Sequence, residues 1–177
     1  MGKASFATEE RCRALSLIIS LCALLATFFE LYLQRKHNEK SLKPIPQIVL
    51  GDQGRHLFVQ VQNNGVGPLI IEQLSFFKQG VEHPNLERCL TINPTTYNHD
   101  TEVSVESPKV IFPGSHLEIF GMMFEPHEES AQAQVRAELA TLRLQVKAKD
   151  IYQHNIKVAR DFRWFVRHTH AVALSQE

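Results

Sequence analysis

Thr141-Leu142-Arg143-Leu144-Gln145-Val146-Lys147-Ala148-Lys149 sets Leu142, Leu144, Val146 and Ala148 against Arg143, Gln145, Lys147 and Lys149 in strict alternation. Successive side chains of a strand point to opposite faces, so this spacing predicts an amphipathic strand with one face in a core. A rival pattern runs through the same residues. Val135, Leu139, Leu142 and Val146 also fall at helical spacing, and a helix on that stripe would extend to Lys149. The strand is the preferred reading.

Working outward, the polar residues 150–155 turn the chain back into residues 156–165, which predicts a hairpin with 141–149. Upstream, Pro126 and the acidic pair Glu128-Glu129 open a helix-prone segment that reaches about Ala140, with negative charge at its positive end. Further strands are expected at 56–62, 69–77, 102–105, 110–112 and 117–124. In the first of these Leu57, Val59 and Val61 share one face. Between the first two lies Asn63-Asn64-Gly65-Val66-Gly67-Pro68, a specified loop in which Asn and Gly permit positive φ and Pro68 fixes the exit. Residues 81–100 carry no clear period, and Pro84 and Pro94 exclude a long regular element there; a short helical turn is expected around 85–90.

Nearer the N-terminus, residues 14–33 form a stretch of twenty that is almost wholly apolar and contains eleven Leu, Ile or Phe. At a rise of ~1.5 Å per residue this gives about 30 Å of helix, the thickness of a bilayer's hydrocarbon core. Each of the eleven favours insertion by roughly 0.3 to 0.6 kcal/mol near the helix centre. Glu30 is the single charge inside, one turn from the C-terminal end, where it reaches the headgroup layer. The apolar run continues through Leu24, Leu25, Phe28 and Phe29 past any cleavage point, so the segment is expected to stay as an anchor. Arg35, Lys36, Lys40 and Lys43 on the C-terminal flank outnumber Lys3, Arg11 and Arg13 on the other, which places the following domain on the cytoplasmic side. Cys89 is the only thiol in that domain, so it holds no internal disulfide, in keeping with a reducing compartment.

The expected architecture is therefore mainly β: an N-terminal transmembrane helix followed by an antiparallel immunoglobulin-like β-sandwich with a short helix, the alternative being a small β-barrel. Its divisions are an N-terminal tail 1–13, the transmembrane helix 14–33, a charged juxtamembrane linker 34–43, the β-sandwich domain 44–168 and a C-terminal tail 169–177.

His37-Asn38 with Ser41 and Lys43-Pro44, the loop continued as Leu69-Ile70-Ile71, and Asp161-Phe162-Arg163-Trp164-Phe165-Val166-Arg167-His168 resemble features of a group of uncharacterised bacterial single-pass membrane proteins. In that group a short N-terminus and one span precede a compact β-rich domain. The resemblance implies bacterial origin and the inner membrane, and brings no activity with it.

Chemical motifs are sparse. With 19 basic and 19 acidic residues the formal charge is zero, so no overall field draws nucleic acid, and none is expected as a partner. Nine His invite a metal reading, yet no ligand spacing for zinc appears; His168 and His170 flank Thr169 at a chain end, and His83, His99 and His127 fall in turns. Ser115 beside His116 would point to opposite faces of a strand, and Gly65 and Gly67 precede a strand where a phosphate loop needs a helix. No catalytic residue, cofactor or metal site is assigned, and the chain is read as a non-enzyme. The candidate interaction patch is Arg163, Phe165 and Arg167: strand parity turns Phe162, Trp164 and Val166 inward and leaves these three outward. Asn63, Asn64, Gly65, Gly67 and Pro68 are assigned to a structural loop. The function expected is a binding or scaffolding module near the bilayer, with lipids held by the N-terminal helix and a protein partner held by the domain. The alternatives are a ligand-binding or enzymatic pocket formed by the 63–68 and 81–100 loops, or an accessory subunit of a membrane complex.

Overall fold

The computed structural model describes residues 3–100 and 102–168, with side chains from residue 13 to residue 166. The chain divides into two units, Met1–Ser41 and Leu42–Glu177.

The first unit is one helix, α1 (Lys3–Ser41). It is long and apolar enough to cross a membrane, and none of its most apolar window is buried against protein. Two of the hydroxyls inside the apolar run, those of Ser20 and Thr27, are satisfied within the helix itself: Ser20 Oγ donates to the Ser16 carbonyl and Thr27 Oγ1 to that of Ala23, each at 2.9 Å. A back-bond of this kind keeps the hydroxyl hydrogen paired where the surroundings are apolar. Beyond residue 33 the helix runs on as a charged extension, with Arg35 paired to Glu39 and Lys36 over the Tyr32 ring.

The second unit is mainly β and contains two antiparallel sheets. Its strands are β1 (Pro46–Gln53), β2 (His56–Asn63), β3 (Leu69–Lys78), β4 (Val81–His83), β5 (Lys109–Ile111), β6 (His116–Met123), β7 (Leu142–Lys149) and β8 (Asn155–Asp161), with the helix α2 (Glu129–Leu139) between β6 and β7. One sheet has the order β1-β2-β6; the other runs β4-β3-β7-β8, with β5 pairing the opposite end of β3 from β4. Leu57, Val59 and Val61 of β2, Ile71 and Phe76 of β3 and Leu144 and Val146 of β7 are fully buried in one shared core. The alternation of 141–149 thus resolves as strand. The helix stops at Leu139, where Ala140 and Thr141 close its last turn onto Arg136 and Glu138.

Register places the strand termini at two ends. At the tether end, where the chain arrives from α1, lie Pro46, Asn63, His116, Leu69, Ile111, Lys149 and Asn155. At the distal end lie the turns of the β1–β2 and β3–β4 hairpins, α2 and the exit from β8. Gly54 takes φ 61° in the two-residue turn between Gln53 and His56, the position that a type II′ hairpin gives to glycine. α2 straps this end: Gln132 Nε2 donates to the Gly54 carbonyl at 2.8 Å, and Arg136 holds Asp52 with two bonds of 2.8 and 2.9 Å.

Strand assignments read from sequence change at three places; the first is β4, which pairs Val81–His83 with the end of β3 in a segment expected to be loop. Strand β1 was not separately anticipated: its alternation is interrupted by Gly51, whose missing Cβ leaves room for the Phe58 ring. Residues 102–105 are not a strand. Ser104 and Ser107 exchange backbone hydrogen bonds in a tight turn that leaves Val105 72% exposed.

Candidate binding cleft

The loop 63–68 is built around one buried side chain. Asn63 is fully buried; its Oδ1 accepts from the amides of Ile45 (3.2 Å) and Gly65 (3.1 Å), and its Nδ2 donates to the carbonyls of Gly67 (2.7 Å) and Ile111 (3.1 Å). All of its hydrogen-bonding capacity is spent on backbone from three segments. The two glycines are required by closeness: a Cβ on Gly67 would lie 1.8 Å from the Leu42 carbonyl oxygen, and one on Gly65 2.4 Å from that of Lys43. The loop therefore grips residues 42–45 as the chain enters the domain, and that backbone fills the space a ligand would need there.

The C-terminal patch takes a different form from the one the sequence suggested. β8 ends at Asp161, and Arg163–His168 is a 3₁₀ helix, in which residues three apart stack on one side. Phe162 and Phe165 are consequently both fully buried, with the Phe165 amide bonded to the Phe162 carbonyl at 3.0 Å. Phe165 belongs to the core and cannot serve as an exposed contact. Val166, expected inward, is 42% exposed, and Trp164 is only partly buried, edge-on to the Phe165 ring at 5.3 Å. Arg163 does face solvent; the side chain of Arg167 lies outside the described residues.

Arg163 instead joins a cleft of about 350 Å³ at the distal end, lined by Phe77, Gln79, Gly80, Ala140, Thr141, Leu142, Arg143, Asp161 and Arg163. Three of these form a row across adjacent strands on the outer face, Phe77 on β3 opposite Arg143 on β7, and Arg143 opposite Asp161 on β8. Asp161 also accepts from the Arg163 amide at 2.8 Å, which fixes the start of the 3₁₀ turn and brings the Arg163 Nε to 3.6 Å from its carboxylate. The Lys78-Gln79-Gly80-Val81 turn walls the other side, with φ 52° at Gln79 and 83° at Gly80. The result is two exposed guanidiniums and one carboxylate around a half-exposed ring. Guanidinium groups take carboxylates through paired N–H donors, so the cleft suits an acidic group flanked by an apolar one.

Positive charge continues along the same face. Lys147 and Lys157 stand directly opposite on β7 and β8, a like-charge pairing that costs stability. Lys147 reaches Gln73 Oε1 at 3.0 Å, and Lys149 pairs with Glu72 at 2.8 Å. Sequence alternation marked Arg143 and Lys147 as outward; only the strand pairing shows that Phe77, Asp161 and Arg163 stand beside them.

The 81–100 segment is pinned by other groups. Burial acts to raise the Glu138 carboxyl, but hydrogen bonds from the Thr91 hydroxyl, the Thr91 amide and Gln134 outweigh it and leave the carboxyl below its ordinary value. Burial pushes the Cys89 thiol up, with Lys78 opposing, and the Lys78 ammonium donates to the Cys89 carbonyl at 2.7 Å. Cys89 is 1% exposed and so poorly placed as a nucleophile. His99 pairs with Glu87 at 2.8 Å. Among the described residues, no three His, Cys, Asp or Glu side chains gather to hold a metal ion.

No protein-family model matches the chain, and no curated protein matches its sequence.

Proposed function

We propose that this chain is a single-pass membrane protein of the bacterial inner membrane whose β domain, on the cytoplasmic side, is a non-enzymatic binding module for an acidic segment of a protein partner. The observation that carries the reading is the distal cleft, where Arg143 and Arg163 flank Phe77 and continue into the lysine pair of the same sheet face. A sequence selected for folding alone gains nothing from opposing Lys147 to Lys157; an acidic partner would relieve that repulsion. We further assign the domain to the immunoglobulin type of sandwich. The orders β1-β2-β6 and β4-β3-β7-β8 support this assignment: consecutive strands cross between sheets as in that fold, with β3, β7 and β8 in the places of strands C, F and G. Tethering confines the cleft to a thin layer at the membrane, which raises its effective concentration toward other membrane-bound proteins.

The test is purification of the full chain in mild detergent beside the doubly charge-reversed variant R143E/R163E. A stoichiometric partner that accompanies the wild type and is lost from the folded variant is the expected result. A partner retained equally by both would remove the cleft from the reading.

A further inference from the structure

The tether end of the domain carries an exposed apolar side chain on each segment that meets there. Ile45 is 56% exposed, Val66 65%, Phe112 66% and Ile151 42%. These are not scattered positions. The Asn63 side chain bonds the backbone of Ile45, Gly65, Gly67 and Ile111 together, so Ile45, Val66 and Phe112 project from one knot. The pairings of Lys149 with Ile70 and of Lys149 with Asn155 bring the 150–154 turn to the same end. That turn is held by Asp150, which accepts from the Tyr152 amide at 2.8 Å and the His154 amide at 2.9 Å, and Ile151 sits at its tip. Tight loops in water favour polar residues at such tips, and exposed apolar side chains on four segments of one end mark a surface that meets something.

We propose that Ile45, Val66, Phe112 and Ile151 form a crown that seats in the interfacial layer of the same bilayer that holds α1. This rests on the reading of α1 as the anchor. Past the apolar stretch, residues 34–41 continue the helix by ~12 Å at the ordinary rise. Roughly 5 to 8 Å of headgroup layer lies outside the hydrocarbon on each side. Leu42, the first residue of the domain unit, is therefore released within about one helical turn of the lipid surface, and an ordinary helix tilt closes the difference. Residues 42–45 are gripped by the 63–68 loop, so it is this end of the domain that the short tether delivers to the lipid. Exposed Lys43 and half-buried Tyr152 border the crown, and both residue types pair an apolar stem with a polar tip suited to headgroups. Seating the crown leaves the cleft of Arg143 and Arg163 at the opposite end of the domain, open to a partner.

The chain provides its own control, because Trp164 is its only tryptophan and lies beyond β8 at the distal end. Full-length protein and the variant F112W are reconstituted in vesicles whose acyl chains are brominated near the headgroups. The crown predicts that most of the emission added by Trp at 112 is quenched, while that of Trp164 in the wild type is not; V66W repeats the measurement from a second loop. Added emission that escapes quenching in both variants, with the chain retained in the vesicles through an alkaline wash, overturns the crown and leaves the anchor standing. Unquenched emission that shifts to the blue as the protein-to-lipid ratio rises assigns the surface to a second copy and likewise overturns it. A chain that washes out of the vesicles removes both readings.

Discussion

Asn63 and the pair Asp52–Arg136 are the residues whose loss should cost most. Removing the Asn63 amide in N63A leaves the Ile45 and Gly65 amides and the Gly67 and Ile111 carbonyls without partners in a buried place, at about 1 to 3 kcal/mol for each group that stays dry. A fall of several kcal/mol in denaturant unfolding is expected, with increased hydrogen exchange at residues 63–67. Arg136 and Asp52 are a different case. Their side chains are 15% and 2% exposed, so R136A strands a buried carboxylate at about 3 to 5 kcal/mol, whereas an apolar double replacement, D52L/R136M, should recover much of that loss. Urea unfolding of the two variants beside the wild type measures the difference. Asp150 gives a pH signature. Burial works to raise its carboxyl, and hydrogen bonds from the His154 amide, the His154 ring and the Tyr152 amide together bring it below the ordinary aspartate value. A carboxyl lowered on folding adds stability that is complete above its unfolded pKa and disappears as pH falls through the folded one. The stability difference between wild type and D150N should therefore be constant near neutrality and shrink below about pH 4.

At the scale of elements, legibility in the sequence followed the reach of the interaction. β2 and β7 announce themselves through local alternation, because one face of each lies against the core and the other against water, while β3 shows through its β-branched and apolar content. The competing helix through Val146 fails because β7 has β3 on one edge and β8 on the other, and such pairings have no trace in local periodicity. Phe165 shows the opposite limit. Parity was extrapolated through a point where Asp161 caps a 3₁₀ turn, and a change of period from two to three moved Phe165 from surface to core. Of the candidate patch, Arg163 was legible as exposed; its neighbours Phe77 and Arg143 are distant in sequence and meet it only through the sheet. The 63–68 loop was recognisable from its Asn and Gly content, but its purpose, gripping residues 42–45, depends on contacts no pattern reports. The Cys89 segment offers a check on this element packing. Iodoacetamide followed by peptide mass analysis should label Cys89 only after unfolding, since its thiol is buried and raised; rapid labelling of the native chain would mean that the 81–100 segment opens.

For the whole molecule, one apolar helix and one mainly β unit follow each other with residue 42 already part of the fold. In the proposed reading such a chain acts by location: the helix would set the membrane, the tether end would meet it, and the basic distal cleft would be left to engage a partner. Every step of that proposal depends on α1 residing in lipid. The direct measurement is alkaline carbonate extraction of membranes from cells that make the full-length chain, with the N-terminus verified by intact mass. The account predicts that the complete chain stays with the membrane pellet and is released only by detergent. Recovery of the complete chain in the carbonate supernatant would contradict it.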